Sequence, residues 1–203
     1  ELKVNTFTGK LRYERRDLYL PGHGDALDIL FTYTSSVNDD YGYGYGWSFS
    51  YNIVYEADGS NMILKMSDGS KHLYTSNGSG GYISPSGNYG TFEAYQTDKY
   101  KLTTKHGKVY YFDDATHKRL TKTEDRNGNT VTLDYQGGDK PVTITDVSGR
   151  SLILTYDGSG MLSAITDNNS TPTRTVGYQY VNGLLMSVTN PLGNTTNYSY
   201  QNP

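Results

Sequence analysis

The chain has 203 residues, a length that suits one large all-β domain, and it carries 18 Lys and Arg against 21 Asp and Glu, for a formal net charge of −3. This balance of charge argues against the basic face that nucleic-acid binding requires, and no run of 18 apolar residues is present that would span a membrane. The 21 tyrosines, 5 phenylalanines and single tryptophan supply apolar surface that the scarce aliphatic residues do not. We therefore expect a folded, tyrosine-rich core and, without cysteine, no disulfide and no thiolate metal site.

The first half of the chain predicts an irregular series of β-strands. Asp58-Gly59, Asp68-Gly69 and Gly107 mark turns between short apolar runs. Residues 91–106 lack Gly and Pro, but their apolar side chains do not complete a helical stripe, so we predict no long helix. The predicted strands lie near residues 10–20, 26–34, 47–56, 60–67, 70–75, 99–105 and 108–112.

Within this half, single glycines separate four aromatic residues, Tyr41, Tyr43, Tyr45 and Trp47. In an extended strand this alternation places all four rings on one face, and a row of exposed rings is one way to build a flat sugar-binding platform. These four residues are the candidate glycan-binding site. The alternative is that the rings pack inward while the glycines allow close contact with a neighbouring sheet. Exposure of the rings distinguishes the two interpretations.

The second half of the chain contains an internal repeat, and an internal repeat predicts the architecture more strongly than local composition does. An Asp or Asn stands three residues before a Gly and ten before a Tyr in three copies, and a degenerate fourth copy has Ser in place of the Gly and one extra residue before its Tyr. The copies are Asp125/Gly128/Tyr135, Asp146/Gly149/Tyr156, Asp167/Ser170/Tyr178 and Asn190/Gly193/Tyr200.

Each copy predicts two strands and two turns. Apolar residues alternate in Val131, Leu133 and Tyr135, as they do in later copies, and Asn127-Gly128 is typical of a tight turn. The whole chain then contains roughly 15 to 17 strands in an antiparallel meander, more than an open twisted sheet usually holds without curling. We expect an all-β fold in which the sheet wraps into a curved, open shell or spiral.

These motifs resemble the Rhs/YD-repeat family. The opening block of that family is similar to Val4–Gly9, Asp17–Gly24, Phe31–Ser35 and Gly44–Trp47, and the Asp-x-x-Gly-x6-Tyr copies resemble its repeats. The resemblance implies one domain over 1–203, with an irregular opening block at 1–112 and regular repeats at 113–203. It also implies a segment of the hollow β-shell found in bacterial Rhs and wall-associated proteins, insecticidal toxin B/C components and teneurins.

The same resemblance implies a bacterial protein that is secreted or exposed at the cell surface. Its partners would be the remaining shell of a longer parent protein and an enclosed cargo domain. Neither the self-cleaving core of the family nor a toxin domain occurs in this sequence, so encapsulation would be a property of the parent.

No residue pattern predicts catalysis. His23, His72, His106 and His117 are dispersed, without metal-ligand spacing, and the doublets Asp39-Asp40 and Asp113-Asp114 lack the spacing of a calcium loop, so they predict solvated turns. We expect no enzyme, metal or cofactor. Three functions remain in order of preference: a structural shell segment, a carbohydrate-binding module that uses the four aromatic residues, and a hydrolase whose carboxylates meet only in space.

Overall fold

The computed structural model describes residues 2–4, 6, 9–22, 24–35 and 39–201. Within these ranges the secondary structure is β throughout, in agreement with the sequence prediction. No helix in this part of the chain could cross a membrane. The strands are β1 (Leu2–Val4), β2 (Leu11–Leu20), β3 (Leu27–Thr34), β4 (Trp47–Phe49), β5 (Val54–Asp58), β6 (Asn61–Lys65), β7 (Lys71–Ser76), β8 (Tyr82–Ile83), β9 (Thr91–Gln96), β10 (Lys99–Thr103), β11 (Val109–Phe112), β12 (Lys122–Glu124), β13 (Thr130–Asp134), β14 (Thr143–Asp146), β15 (Ser151–Tyr156), β16 (Leu162–Asp167), β17 (Arg174–Val181), β18 (Leu184–Thr189) and β19 (Thr195–Asn197).

The described strands form three sheets in which consecutive strands pair antiparallel. One sheet runs from β1 to β4, a second from β5 to β8, and an 11-stranded meander from β9 to β19. Isolated bridges join Val54 of β5 to Arg119, and Gly81, which precedes β8, to Glu93 of β9. The second sheet therefore contacts the part of the chain that forms the meander near both its first and its last strand. The arrangement is open and is not a closed barrel.

The strand boundaries depart from the sequence prediction in three places. The predicted strand at 47–56 is two strands, β4 and β5, because the chain turns at Asn52, whose backbone N–H donates to the carbonyl of Phe49 at 2.8 Å. Residues 91–106 hold the hairpin of β9 and β10, where only one strand was expected. The short strands β1 and β8 carry no alternation long enough to predict them.

The Asp or Asn of each regular repeat closes a turn. The Asp146 carbonyl accepts the N–H of Gly149 at 3.0 Å, and its carboxylate Oδ1 accepts the N–H groups of Ser148 and Arg150 at 2.9 Å each. Asp125 and Asn190 accept the same set of backbone hydrogen bonds. The glycine is required because it lies at a φ of +80° to +83° in these three turns, where a side chain is strained.

A fourth turn of the same construction lies at Asp157 and Gly160, and no tyrosine follows it at the repeat spacing. It therefore contributes a turn to the meander without contributing a core tyrosine.

The core lies along one face of the meander and is covered by strands β2 to β4. In β13 and the residue after it, Val131, Leu133 and Tyr135 are buried while the residues between them are exposed, as the alternation predicts. A single cluster of buried apolar residues runs from Leu18 to Val188. Since β2 to β4 and the meander contribute to the same cluster, the opening block and the repeats are packed together.

Candidate functional site

Residues 41–47, which we call the latch, do not form an extended strand up to Trp47. Gly42, Gly44 and Gly46 have φ values of +88°, +97° and +75°. Glycines in this region turn the chain at every second residue, so the rings cannot all project to one side. The prediction of an extended strand with four rings on one face is therefore wrong.

The four aromatic side chains of the latch lie in different environments. Tyr43 and Trp47 are each only 2% exposed, Tyr41 is partly buried, and Tyr45 is 44% exposed. They share no flat exposed surface of the kind that a sugar platform needs. Glycan binding by these four residues stays a prediction, and of their rings Tyr45 is the exposed one.

The buried rings of the latch hydrogen-bond to the tyrosines of the repeats. Trp47 Nε1 donates to the hydroxyl of Tyr200 at 2.9 Å, and that hydroxyl donates to the carbonyl of Leu185 at 2.8 Å. The hydroxyls of Tyr43 and Tyr156 also interact, and the Tyr156 hydroxyl donates to the carbonyl of Pro141 at 2.9 Å. Burial, followed by the interaction with Tyr156, raises the pKa of Tyr43, so its hydroxyl remains a protonated donor.

The repeat tyrosines follow a common rule. Tyr135, Tyr156 and Tyr200 each donate to the carbonyl of the residue 15 positions earlier, which is Leu120, Pro141 and Leu185 respectively. These carbonyls belong to the residues five positions before each Asp or Asn of the repeat. The bond therefore connects the two ends of every regular repeat across the core.

Backbone contacts complete the docking of the latch on the meander. The Leu162 N–H donates to the Gly42 carbonyl at 2.8 Å, and the Tyr45 N–H donates to the Gly183 carbonyl at 3.0 Å. A methyl group added at Gly44 would lie 3.2 Å from the Leu185 nitrogen. The glycines thus give the latch both its curvature and its close approach to β18.

The degenerate repeat uses its tyrosine differently. The hydroxyl of Tyr178 donates to Asp17 Oδ2 at 2.6 Å, a residue of the opening block 161 positions away. Asp17 also receives two bonds from Arg15, with the Nε–Oδ1 distance at 2.5 Å and the Nη2–Oδ2 distance at 2.9 Å. Arg15 Nη1 in turn donates to the Tyr198 hydroxyl at 2.5 Å.

Arg15 lies inside a cage of rings. Its guanidinium carbon is 5.4 Å to 5.9 Å from the ring centroids of Phe31, Trp47, Tyr178 and Tyr198. Burial disfavours the charge, but the hydrogen bonds and the negative charge of Asp17 outweigh it and raise the pKa of Arg15. No local sequence signal marks this group, because its members come from both ends of the chain.

The other predicted candidates contribute to turns and surface pairs. His117 Nδ1 lies 2.9 Å from Asp114 Oδ2, Asp40 Oδ1 accepts the N–H of Gly42 at 2.8 Å, and the carboxylate of Asp113 accepts the hydroxyl of Tyr95. His23 lies outside the described residues. Elsewhere in the described chain, no cluster of three or more His, Asp or Glu side chains is arranged to hold a metal ion.

Comparison with known proteins adds two findings. Residues 2–74 match a family described as a domain of unknown function, DUF6531. The chain is also 34% identical over 97 residues to the double-stranded DNA deaminase toxin A of Burkholderia cenocepacia strain H111. That match covers 45% of this chain and 7% of the toxin, so the chain spans a small part of this relative's length. The family match includes the latch, Arg15 and Asp17, and the chain is a distant relative of a toxin protein.

Proposed function

We propose that the chain is a non-catalytic segment of a β-shell in a bacterial YD-repeat protein of the Rhs type, with the latch fastening the opening block to the repeat wall. The observation that carries the proposal is the hydroxyl-to-carbonyl bond that recurs 15 residues apart in Tyr135, Tyr156 and Tyr200. A side chain committed to the same carbonyl in every regular repeat serves packing. The repeat motif is therefore used to build a wall.

The charged groups that are buried support the same proposal. Asp146 is bound by Arg150, Asp167 by Arg174, and Asp17 by Arg15. Burial alone would raise the pKa of Asp167, but hydrogen bonds from Arg174 and Asn169 outweigh burial and lower the pKa, so this carboxylate is a poor general acid. These residues stabilise turns and the seam between the blocks.

The distant toxin relative supports the setting of the proposal. The matched segment makes up 7% of the toxin, so most of that protein lies outside the match. We infer that this segment belongs to a longer toxin-related protein that is secreted or displayed at the cell surface. The proposed partners are the rest of that shell and the cargo it encloses. The name of the relative describes a deaminase, and we propose no deaminase activity for this chain.

Protease protection in the longer natural protein tests the shell directly. Limited proteolysis with mass-spectrometric mapping should leave the cargo region intact in the wild type. Replacement of Gly44 by Val places a branched side chain against the Leu185 nitrogen, so it should open the seam and expose the cargo. Gly59→Val is the matched control, because Gly59 has a positive φ but no atom within 4 Å of an added methyl group. A cargo region that is cleaved equally in all three proteins would refute a shell role.

The non-catalytic part of the proposal has its own test. Purified 203-residue chain incubated with double-stranded DNA should leave every cytosine and adenine unchanged by sequencing and by mass spectrometry. Conversion of either base by the wild-type chain, lost on heating, would overturn the proposal.

A further inference from the structure

A pocket of about 320 Å³ lies between the latch and the first repeats. Aromatic rings form much of its wall, with Tyr41, Tyr43, Phe49, Tyr51 and Tyr135 among the lining residues. Its volume is at the lower end of the range for small-molecule sites, and its mixture of rings and a few polar groups is typical of them.

Arg119 is a polar side chain of this wall that the protein leaves partly unsatisfied. The residue is 5% exposed, and its guanidinium carbon lies 3.7 Å from the ring centroid of Tyr135. Its Nη2 pairs with Asp114 Oδ2 at 2.7 Å. Its Nε and Nη1 are buried and have no hydrogen-bond partner among the described residues. A buried donor without a partner destabilises the fold, and a bound acceptor would remove that cost.

The other charged groups of the pocket have defined positions. Asp40 accepts the N–H groups of Gly42 and Gly44 at 2.8 Å and 3.3 Å, and Lys140 Nζ donates to the Gly160 carbonyl at 2.5 Å. His117 pairs with Asp114. Asp139 is an exposed acidic residue at the rim, where its charge opposes the entry of an anion. Arg119 therefore supplies buried cationic donors that have no partner among the described residues.

We propose that this pocket binds the carboxylate of a sugar acid of monosaccharide size. An arginine that lies over an aromatic ring keeps its N–H groups in the guanidinium plane, an arrangement suited to a planar carboxylate, and the tyrosine rings and hydroxyls suit the body of a sugar. The bound carboxylate replaces the missing partners of Arg119. This site is separate from the proposed scaffold role and from the exposed ring of Tyr45.

Titration of the 203-residue chain with glucuronate, glucose, glucose 6-phosphate and inorganic phosphate, followed by calorimetry and by NMR, tests the proposal. Glucuronate should bind at least about tenfold more tightly than neutral glucose, since a buried donor that loses its charged acceptor costs on the order of 1.4 kcal/mol or more. Equal binding of glucose and glucuronate, or no saturable binding of any probe, would overturn the proposal. Binding of the phosphate probes without glucuronate would assign the pocket to phosphate and also overturn it.

Variants then assign the binding to the pocket. Arg119→Lys should weaken glucuronate binding by about tenfold or more, because lysine lacks the planar donor set. Arg126→Lys is the matched control, since Arg126 is exposed and lies outside the pocket lining. Asp139→Asn removes the opposing charge at an exposed position, so it should strengthen binding severalfold without affecting the fold. Unchanged affinity in both Arg119→Lys and Asp139→Asn would place any binding elsewhere and refute this site.

Discussion

At the scale of single residues, the apolar core of this protein includes several tyrosines whose hydroxyl groups find hydrogen-bond partners inside it. A tyrosine buries a large ring but brings a hydroxyl that needs a partner. Here the hydroxyl of Tyr200 accepts from Trp47 and donates to the carbonyl of Leu185, and that of Tyr156 donates to the carbonyl of Pro141. Tyr200 thus serves the wall and the latch together.

Removal of one such hydroxyl should be costly. Tyr156→Phe keeps the ring but leaves the carbonyl of Pro141 without its donor, so we expect a loss of about 1–3 kcal/mol in the free energy of unfolding. Urea denaturation measures the change. Tyr89→Phe, at a tyrosine that is 74% exposed, should change stability by no more than about 0.5 kcal/mol. Equal urea midpoints for the two variants would contradict a structural role for the Tyr156 hydroxyl.

The ion pairs of β2 provide a second test at this scale. The Asp17 side chain is 3% exposed beside Arg15, whereas the Asp28 side chain is 32% exposed beside Arg16. Asp17→Ala strands a buried guanidinium and should cost about 3–5 kcal/mol. Asp28→Ala breaks an exposed pair and should cost about 1 kcal/mol or less. Chemical denaturation of both variants checks the difference, and similar losses would contradict the buried role of Arg15.

At the scale of elements, the turn and the latch use glycine for different reasons. In the repeat turns, Gly149 has a positive φ but open space around an added methyl group. In the latch, Gly44 has a positive φ and also lies against β18. A substitution in a repeat turn therefore meets backbone strain alone, and one in the latch meets strain and a steric clash.

A series of alanine substitutions separates these effects. Gly158→Ala, at a glycine with no positive φ and no close neighbour, should be nearly neutral, and Gly59→Ala should cost about 1–2 kcal/mol through strain. Gly44→Ala should cost more than Gly59→Ala, because the backbone nitrogen of Leu185 cannot move as a side chain can. Thermal and urea denaturation rank the three variants. If Gly44→Ala were no worse than Gly59→Ala, the latch would not be tightly docked.

At the scale of the whole molecule, the number of buried tyrosines links stability to high pH. Burial raises the pKa of Tyr55 and of Tyr198 to about 12, and it raises the pKa of Tyr135, Tyr156 and Tyr178 as well. An unfolded tyrosine ionises at about pH 10. Because the folded state holds these protons more tightly, their contribution to stability is complete below about pH 10 and declines as the pH rises toward 12 and above.

We therefore expect alkaline unfolding of the chain. The free energy of unfolding should fall steadily above about pH 10, and tyrosinate absorbance should appear together with the loss of the β signal in circular dichroism. Complete tyrosine ionisation with the β signal unchanged would show that these hydroxyls are accessible in the folded protein.

The sequence by itself determined the β class, the antiparallel order, the repeat turns and the alternation of buried residues in the repeats. These features depend on local chemistry, since a turn is specified by the Asp and Gly that form it and a strand face by the period of its own side chains. Most strands of the first half were also placed within a few residues. The division of 47–56 and the strands β1, β8 and β9 were missed because no local pattern marks them clearly.

Only the tertiary structure decided where the latch docks and which partners the buried charged side chains have. Alternation of rings and glycines in residues 41–47 is equally compatible with an exposed platform and with docking, and the choice depends on Gly183, Leu185 and Tyr200, more than 130 residues away. The bond between Tyr178 and Asp17 likewise joins distant segments that meet in the core. The unpaired donors of Arg119 also result from this packing. Such contacts are set by the packing of the whole chain, so no window of sequence contains them.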